Sequence, residues 1–341
     1  MACRRSAGEP MLRRSLIGGR AGAGAAWRAA VVLAAVLASI PAAARRPGLL
    51  RAAEVTTLAA GDPPITRLAA TANGQIVCGL AAGGGIVAID PAAAAAPREL
   101  VKAAASGERL AIGCLPGDVT AVVVRSGDEW SLRTYRVRPN TPDPVDTTLQ
   151  EIRLGRSTGT AEHVAIAVSR VRGWLAIAGL PEPLPPVARV AVAGVRLGAV
   201  SDRGCPTLGD GIRPVAAAVG PFDELILAVQ QRGEPPAIAY FDASGRELLR
   251  LTAGLDAITG LQLGSEDGML WATGTDGEGR EGLWRLDAAL HEGRQVIRPT
   301  LIAPLAGPRA VACSSPRAIV VAHGPAPKIT LVNPLDPGDS P

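Results

Sequence analysis

Histidine is the side chain best suited to acid–base or metal chemistry near neutral pH, and this chain contains three. His163, His291 and His323 are widely separated along the chain, with no spacing typical of a zinc or iron site. The acidic loop that contains Asp276 and Glu278 lacks the full ligand set of a known calcium loop. The sequence therefore predicts neither a metal site nor a bound cofactor.

Nucleophilic chemistry is equally sparse in this sequence. No serine or cysteine is accompanied by a local base signature, so no catalytic residue is predicted. The run Gly83-Gly84-Gly85 joins two predicted strands and opens no helix, which favours a hairpin turn over a phosphate cradle.

Four cysteines follow the N-terminal segment, and they allow disulfides in an oxidising compartment. Three of them, Cys78, Cys114 and Cys313, lie in apolar predicted strands, where a free thiol behaves as a small buried hydrophobe. Cys205 lies in a polar loop. Only Cys78 and Cys114 are predicted to face each other on neighbouring repeats, so this pair is the candidate disulfide, with two buried thiols as the alternative.

The N-terminus predicts export. Six arginines precede or flank the apolar run Ala29–Ile40, and Ala42-Ala43-Ala44 offers the small residues that signal peptidase requires. We expect cleavage before Arg45. An uncleaved inner-membrane anchor is the alternative, although a helix of 16 residues from Ala29 to Ala44 would span only about 24 Å of a core of about 30 Å. The segment Leu12–Ile17 (LRRSLI) also resembles a twin-arginine export motif.

Export changes the meaning of the charge balance. The whole chain has 35 basic and 31 acidic residues, and removing the six arginines and one glutamate of residues 1–44 leaves 29 and 30. No clustered basic face is apparent, and few aromatic side chains are free to stack on bases. The sequence therefore predicts a periplasmic or extracytoplasmic protein that binds no nucleic acid and has no stable membrane span after signal cleavage.

The elements that would position any site are short β-strands arranged in a repeat. Each unit has an apolar strand, a turn that is polar or contains glycine, and a second strand ending in small residues. The turn markers of the six units are Gly74, Gly117, Gly173, Asp223, Gly268 and Arg317. They are spaced by 43, 56, 50, 45 and 49 residues, which is the length of a propeller blade.

A third strand follows most hairpins and a weaker fourth follows in most units, so the predicted fold is all-β with about six four-stranded antiparallel blades. The last unit lacks a fourth strand. Residues Glu54–Leu68 match Glu247–Leu261 at a constant offset of 193, so we expect Glu54–Leu58 to supply that missing strand. The predicted organisation is a signal peptide (1–44), a linker (45–53), the propeller (54–334) and a disordered tail (335–341).

In the stretch ITRLAATANGQIV…GGGIVAIDP the pattern resembles the β-propeller superfamily, in particular its six-bladed NHL, YncE-like and lactonase-like members. The resemblance covers roughly Glu54–Pro334 and includes no diagnostic family motif. It implies a fold and transfers no function. In a propeller, the residues that enter the innermost strands converge on the mouth of the central channel, and an arginine there could bind an anion. The candidate ligand-binding residues are Asp62, Arg109, His163, Arg213, Asp256 and Arg309.

Two functions remain open at this point. The first is a non-catalytic scaffold or protein-interaction module of the bacterial cell envelope, which would bind an envelope protein. The second is a lactonase-like hydrolase or lyase that acts at the channel mouth. The scarcity of histidine favours the scaffold. For the arginines at the channel mouth, the favoured alternative to anion binding is that they are ordinary polar loop residues, with Arg109, Arg213 and Arg309 paired with Glu108, Glu162 and Asp256.

Overall fold

The computed structural model describes residues 55–57, 63–93, 96–103, 107–136, 148–169, 171–264, 268–314, 318–325 and 328–332. These residues form six four-stranded antiparallel sheets, and the chain is a six-bladed β-propeller, as the repeat predicts. The boundaries predicted for the signal peptide, linker and tail lie outside the described residues. Among the described residues, no helix has the length and apolar character needed to cross a membrane.

The first five blades follow one another along the chain. Blade 1 comprises β2 (Ile65–Ala70), β3 (Val77–Ala81), β4 (Ile86–Ile89) and β5 (Arg98–Val101). Blade 2 comprises β6 (Glu108–Leu115), β7 (Val119–Ser126), β8 (Glu129–Arg136) and β9 (Thr148–Arg156). Blade 3 comprises β10 (Ala165–Ser169), β11 (Trp174–Ala178), β12 (Val187–Ala193) and β13 (Arg196–Ser201). Blade 4 comprises β14 (Ile212–Val219), β15 (Leu225–Gln231), β16 (Ala237–Phe241) and β17 (Glu247–Thr252). Blade 5 comprises β18 (Ala257–Leu263), β19 (Leu270–Thr275), β20 (Glu281–His291) and β21 (Arg294–Pro304).

Blade 6 combines the two ends of the propeller. Its inner strands are β22 (Ala310–Ser314), β23 (Ala318–His323) and β24 (Lys328–Val332), and its outer strand is β1 (Val55–Thr57). Val55 lies opposite Thr330, and Thr57 lies opposite Lys328 in the antiparallel register. The strand predicted from the internal sequence match therefore closes the ring, which removes two sheet edges that an open array would expose.

Hairpin turns follow the first strands of the blades whose turns the structure describes. Five of the six predicted turn markers have a left-handed backbone, with φ between 62° and 73°, and the sixth, Arg317, lies outside the described residues. Glycine reaches this conformation without a steric penalty, and aspartate tolerates it better than most residues do. The regular occurrence of these turns explains why the blade length could be read from the sequence.

The core lies between neighbouring blades, where the inner strands bury β-branched and aromatic side chains. Trp130, Trp271, Trp284 and Tyr135 are all nearly inaccessible to solvent, as expected for aromatic residues at apolar strand positions. Because each blade packs against the next one, the turns are held at fixed positions on the two faces of the propeller.

The two faces differ in the turns that they carry. We call the face that carries the turn after the first strand and the turn after the third strand of each blade the hairpin face. The opposite face carries the turn after the second strand and the connections between blades, and we call it the entry face. The residues predicted at the channel mouth belong to the entry face.

Candidate functional site

Five of the six predicted ligand-binding residues lie in the part of the chain that the structure describes, at or next to the starts of first strands on the entry face. Asp62 lies outside the described residues. Arg109 is buried, and its Nη1 donates hydrogen bonds to the carbonyls of Gly84 and Lys102 (2.9 Å to Lys102). Its guanidinium also lies over the Tyr135 ring, 5.0 Å from the centroid. Arg109 therefore fastens blade 2 to the β3–β4 turn of blade 1.

The other four described entry residues have different surroundings. Arg309 donates from Nη2 to the carbonyl of Gly324 (3.1 Å), and Arg213 and Asp256 are exposed. His163 is partly buried, and desolvation lowers its pKa, as does the positive charge of Arg67. Among the ion pairs of the described residues, none joins Arg109, Arg213 or Arg309 to Glu108, Glu162 or Asp256. Within the same residues, no group of three or more His, Cys, Asp or Glu is arranged to hold a metal ion.

Cys78 and Cys114 do lie together, in the core between blades 1 and 2. Both are free thiols in the structure, and the Cys114 thiol donates to the carbonyl of Ala69 (3.3 Å). The pKa of Cys78 is raised well above its ordinary range, mainly by a hydrogen bond with Cys114 and to a smaller extent by burial. The disulfide between them stays a prediction, with the two residues now placed on facing strands.

A serine motif that sequence reasoning missed lies at the end of β9. Residues Gly155–Gly159 (GRSTG) match the pattern of a nucleophile elbow, which requires a sharp turn from a strand into a helix with an exposed serine. Ser157 is instead buried and follows a strand that leads into a loop. Its hydroxyl donates to the carbonyl of Glu182, and its carbonyl accepts from the Trp130 indole (3.2 Å). Ser157 therefore stabilises the loop and does not form an elbow.

The hairpin face carries the exposed apolar side chains. The large hydrophobic residues that are exposed among the described residues are Leu149, Val171, Val195, Phe222 and Leu290. Val171 and Phe222 lie in the first-to-second-strand turns of blades 3 and 4, and Val195 and Leu290 lie at the third-to-fourth-strand turns of blades 3 and 5. Leu149 begins the outer strand of blade 2. All five therefore lie on one face, and Val171 is 81% exposed.

Four of these residues lie on adjacent blades, and we call Leu149, Val171, Val195 and Phe222 the apolar patch. The turn of Val171 is tied to the turn of Phe222 because Arg172 Nε lies 3.6 Å from the carboxylate of Asp223. Gly173, next along that turn, accepts a hydrogen bond from the Val192 amide (2.7 Å), which anchors the turn of Val195. The chain of contacts runs on to blade 2, where the Gln150 amide donates to the carbonyl of Leu197 (2.8 Å).

Asp223 is the buried centre of this arrangement. Only 4% of it is exposed, and its carboxylate accepts hydrogen bonds from the Ser169 hydroxyl and the Trp174 indole (2.7 Å to Trp174). The Trp174 ring is in turn covered by the guanidinium of Arg189, 4.5 Å from its centroid. Sequence reasoning marked Asp223 only as a turn residue, because a buried partner on another blade leaves no local signal.

Comparison with known proteins supports the fold and nothing finer. A scan with protein-family models finds no match, and no curated protein sequence is significantly similar. Among solved structures, a glucose dehydrogenase is similar with a TM-score of 0.56 at 15% identity, over 83% of this chain and 100% of that chain. The Cps50 (Swd1) β-propeller domain of Myceliophteria thermophila is similar with a TM-score of 0.52 at 11% identity, over 82% and 99%. A chain of a mitotic checkpoint complex gives a TM-score of 0.52 at 12% identity, over 86% and 94%. These likenesses show the β-propeller fold.

Proposed function

We propose that this chain is an exported, non-catalytic β-propeller of the bacterial cell envelope that binds a protein partner through the apolar patch on its hairpin face. The observation that carries the proposal is the one-sided distribution of exposed hydrophobic side chains. Isolated exposed hydrophobic residues are common on soluble proteins, whereas several of them on adjacent elements are typical of a binding surface.

The patch is rigid, which favours recognition. Val171 and Phe222 lie in the turns between the first and second strands of blades 3 and 4. Asp223 joins these two turns through its contacts with Ser169, Trp174 and Arg172. A pre-ordered surface loses little conformational entropy when a partner binds. Burying an exposed valine or phenylalanine stabilises a complex by about 1.5–3 kcal/mol per side chain, so two such anchors could serve as the centre of an interface.

The charges beside the patch indicate the chemistry of the partner. Arg136 and Arg196 are exposed at the hairpin-face ends of β8 and β13, and neither forms an ion pair with another described residue. Arg172 is 62% exposed beside Val171. Arginine at the rim of an apolar patch favours a partner with carboxylates around apolar anchors. We therefore propose that the apolar patch binds an acidic segment of an envelope protein.

Export rests on the N-terminal pattern of arginines, apolar run and small residues. The alternative of a lactonase-like hydrolase or lyase has no specific observation in its favour within the described residues. It stays a prediction that a substrate screen can address.

The test is affinity purification of a C-terminally tagged chain from the envelope of its source organism, with partners quantified by mass spectrometry. We expect a near-equimolar partner to be recovered with the wild-type chain and to fall at least tenfold with Phe222→Asp. Leu290→Asp is the matched control, because Leu290 is 73% exposed on the same face but lies on blade 5, outside the patch. Equal recovery with all three chains would contradict the proposal, as would a cytoplasmic location or no stoichiometric partner.

A further inference from the structure

The central channel of the propeller contains a small cavity that is open to solvent at its mouth. It is lined by the first strands of all six blades. Most of the lining consists of alanine, valine, leucine and isoleucine, with Thr259 and Gln262 from blade 5. One charged residue lines it among the described residues, and that residue is Arg67 of blade 1.

Arg67 occupies a position that other blades fill with a small residue. Four of the first strands have a bulge near their entry end, and the residues that follow the bulge are Arg67, Ala111, Ala216 and Gly260. A bulge redirects the side chain beside it, and this is a common device near binding sites. Ala111 and Ala216 are buried, and a Cβ at Gly260 would contact Thr273 and the backbone of blade 6, so Arg67 is the one long side chain among these four positions.

The guanidinium of Arg67 forms two hydrogen bonds with backbone carbonyls, and its other N–H donors have no partner among the described residues. Its Nη1 donates to the carbonyl of Thr66 (2.8 Å), and its Nε donates to the carbonyl of Val164 on blade 3 (3.3 Å). An arginine has five N–H donors, so three remain, and all three are on the Nη1 and Nη2 groups. These groups form the planar fork that matches a carboxylate.

No carboxylate of the described residues pairs with this charge. Arg67 takes part in none of their ion pairs, and burial lowers its pKa from the ordinary value. His163 lies close enough to Arg67 for the arginine charge to lower the pKa of the histidine, although burial lowers it more and Glu162 raises it. Arg67 is only partly buried, and none of its nitrogens is among the buried unpaired polar atoms of the described residues, so a ligand in the channel can reach its remaining N–H groups.

We infer that the channel binds a small monocarboxylate, with its carboxylate on the Arg67 fork and its apolar body against the alanine and valine side chains of the first strands. One cation in the lining matches one negative charge. Among the described residues, the lining offers no second cation, which disfavours dianions such as dicarboxylates and inorganic phosphate. This site is independent of the patch on the hairpin face.

The test is a titration of the purified mature chain with sodium butyrate, followed by calorimetry and by saturation-transfer NMR at constant ionic strength. Butyramide is the neutral control, and inorganic phosphate is the competing anion. We expect saturable one-to-one binding of butyrate, no measurable binding of butyramide, and a loss of affinity of at least about tenfold in Arg67→Gln. Arg232→Gln is the matched control, because Arg232 is an exposed arginine in the turn between β15 and β16 without an ion pair to a described residue, and this variant should bind butyrate as the wild type does.

Should Arg67→Gln fail to fold, the 15N resonance of the Arg67 Nε in the wild-type chain provides the answer. It can be assigned with Arg67→Lys, and it should shift on addition of butyrate. The inference is wrong if the wild type shows no saturable binding, if butyramide binds as well as butyrate, if phosphate binds in preference to it, or if Arg67→Gln keeps full affinity. Binding of butyrate by Phe222→Asp should be unchanged, so failure of this inference and failure of the proposed function are distinguishable.

Discussion

Replacement of Asp223 by asparagine should destabilise the propeller measurably although the two side chains have the same shape. Asp223 has a left-handed backbone, with φ 71°, and asparagine tolerates that conformation equally well. The backbone therefore contributes little to the difference. What changes is the charge that accepts hydrogen bonds from Ser169 and Trp174 of blade 3.

The magnitude follows from the type of hydrogen bond. A hydrogen bond to a charged group contributes about 1.5–3 kcal/mol and a neutral one about 0.5–1.5 kcal/mol, so two conversions cost about 2 kcal/mol. The contact with Arg172 is exposed at the arginine end and adds less than about 1 kcal/mol. We expect the free energy of unfolding to fall by about 2–3 kcal/mol. In a domain of this size, that corresponds to a decrease in Tm of roughly 4–12 °C.

Equilibrium urea unfolding, followed by tryptophan fluorescence and circular dichroism, measures this effect. The control is Asp118→Asn, since Asp118 occupies the equivalent turn of blade 2 with φ 56° but is exposed. Its substitution should change the free energy of unfolding by less than about 0.5 kcal/mol. If Asp223→Asn is no less stable than Asp118→Asn, then Asp223 does not join the two blades and the rigidity assigned to the apolar patch has lost its basis.

Three further outcomes are expected. Gly179→Ala should destabilise the chain far more than Gly233→Ala in thermal unfolding. Both glycines have φ 84°, so the backbone strain is the same. An added Cβ at Gly179 would overlap the carbonyl oxygen of His163, whereas Gly233 faces open space. Burial lowers the pKa of His323 below its ordinary value of 6.5. As the pH decreases below about 6.5, the unfolded chain binds a proton at this histidine before the folded chain does, so the free energy of unfolding should fall. Urea unfolding at pH 7 and pH 5 should show a smaller decrease in the free energy of unfolding for His323→Gln than for the wild type. Arg109→Lys should lower the Tm by a few degrees, because lysine lacks the planar guanidinium that lies over the Tyr135 ring while Nη1 donates to two backbone carbonyls. It should leave butyrate affinity unchanged in calorimetry.

The fold was accessible from the sequence because propeller blades repeat locally. Turn residues such as Gly74 and Gly117 mark left-handed hairpins, and their period gives the blade length without any long-range information. The closing strand was accessible for a related reason. It carries the same residues as the outer strand and connection of blade 4, at Glu247–Leu261, so an internal comparison revealed its role.

The candidate sites were less accessible, because they depend on which side chains have partners in other blades. Arg109 and Arg309 were predicted at the channel mouth from their place in the chain, and the structure shows that each donates hydrogen bonds to backbone carbonyls. Arg67 was not singled out from the sequence, because the bulge beside it has no sequence signature of its own. The signal available was the internal match, which places Gly260 where blade 1 has Arg67.

Phe222 illustrates the same limit. An aromatic residue close to an apolar strand is usually buried, as Trp130, Trp271 and Phe241 are. Phe222 instead lies in the turn that begins with Gly220, and 51% of it is exposed. Only the three-dimensional arrangement shows that it lies beside Val171 on the next blade.

Site-specific photocrosslinking in living cells tests the central claim most directly. A benzoylphenylalanine side chain is incorporated at position 222 or, as the control, at position 290, and the crosslinked peptides are sequenced by mass spectrometry. We predict a crosslink from position 222 alone, to a segment rich in acidic and apolar residues in the same envelope protein that Phe222→Asp fails to recover. No crosslink from position 222, or the same crosslinks from both positions, would contradict the assignment of the apolar patch as the binding surface.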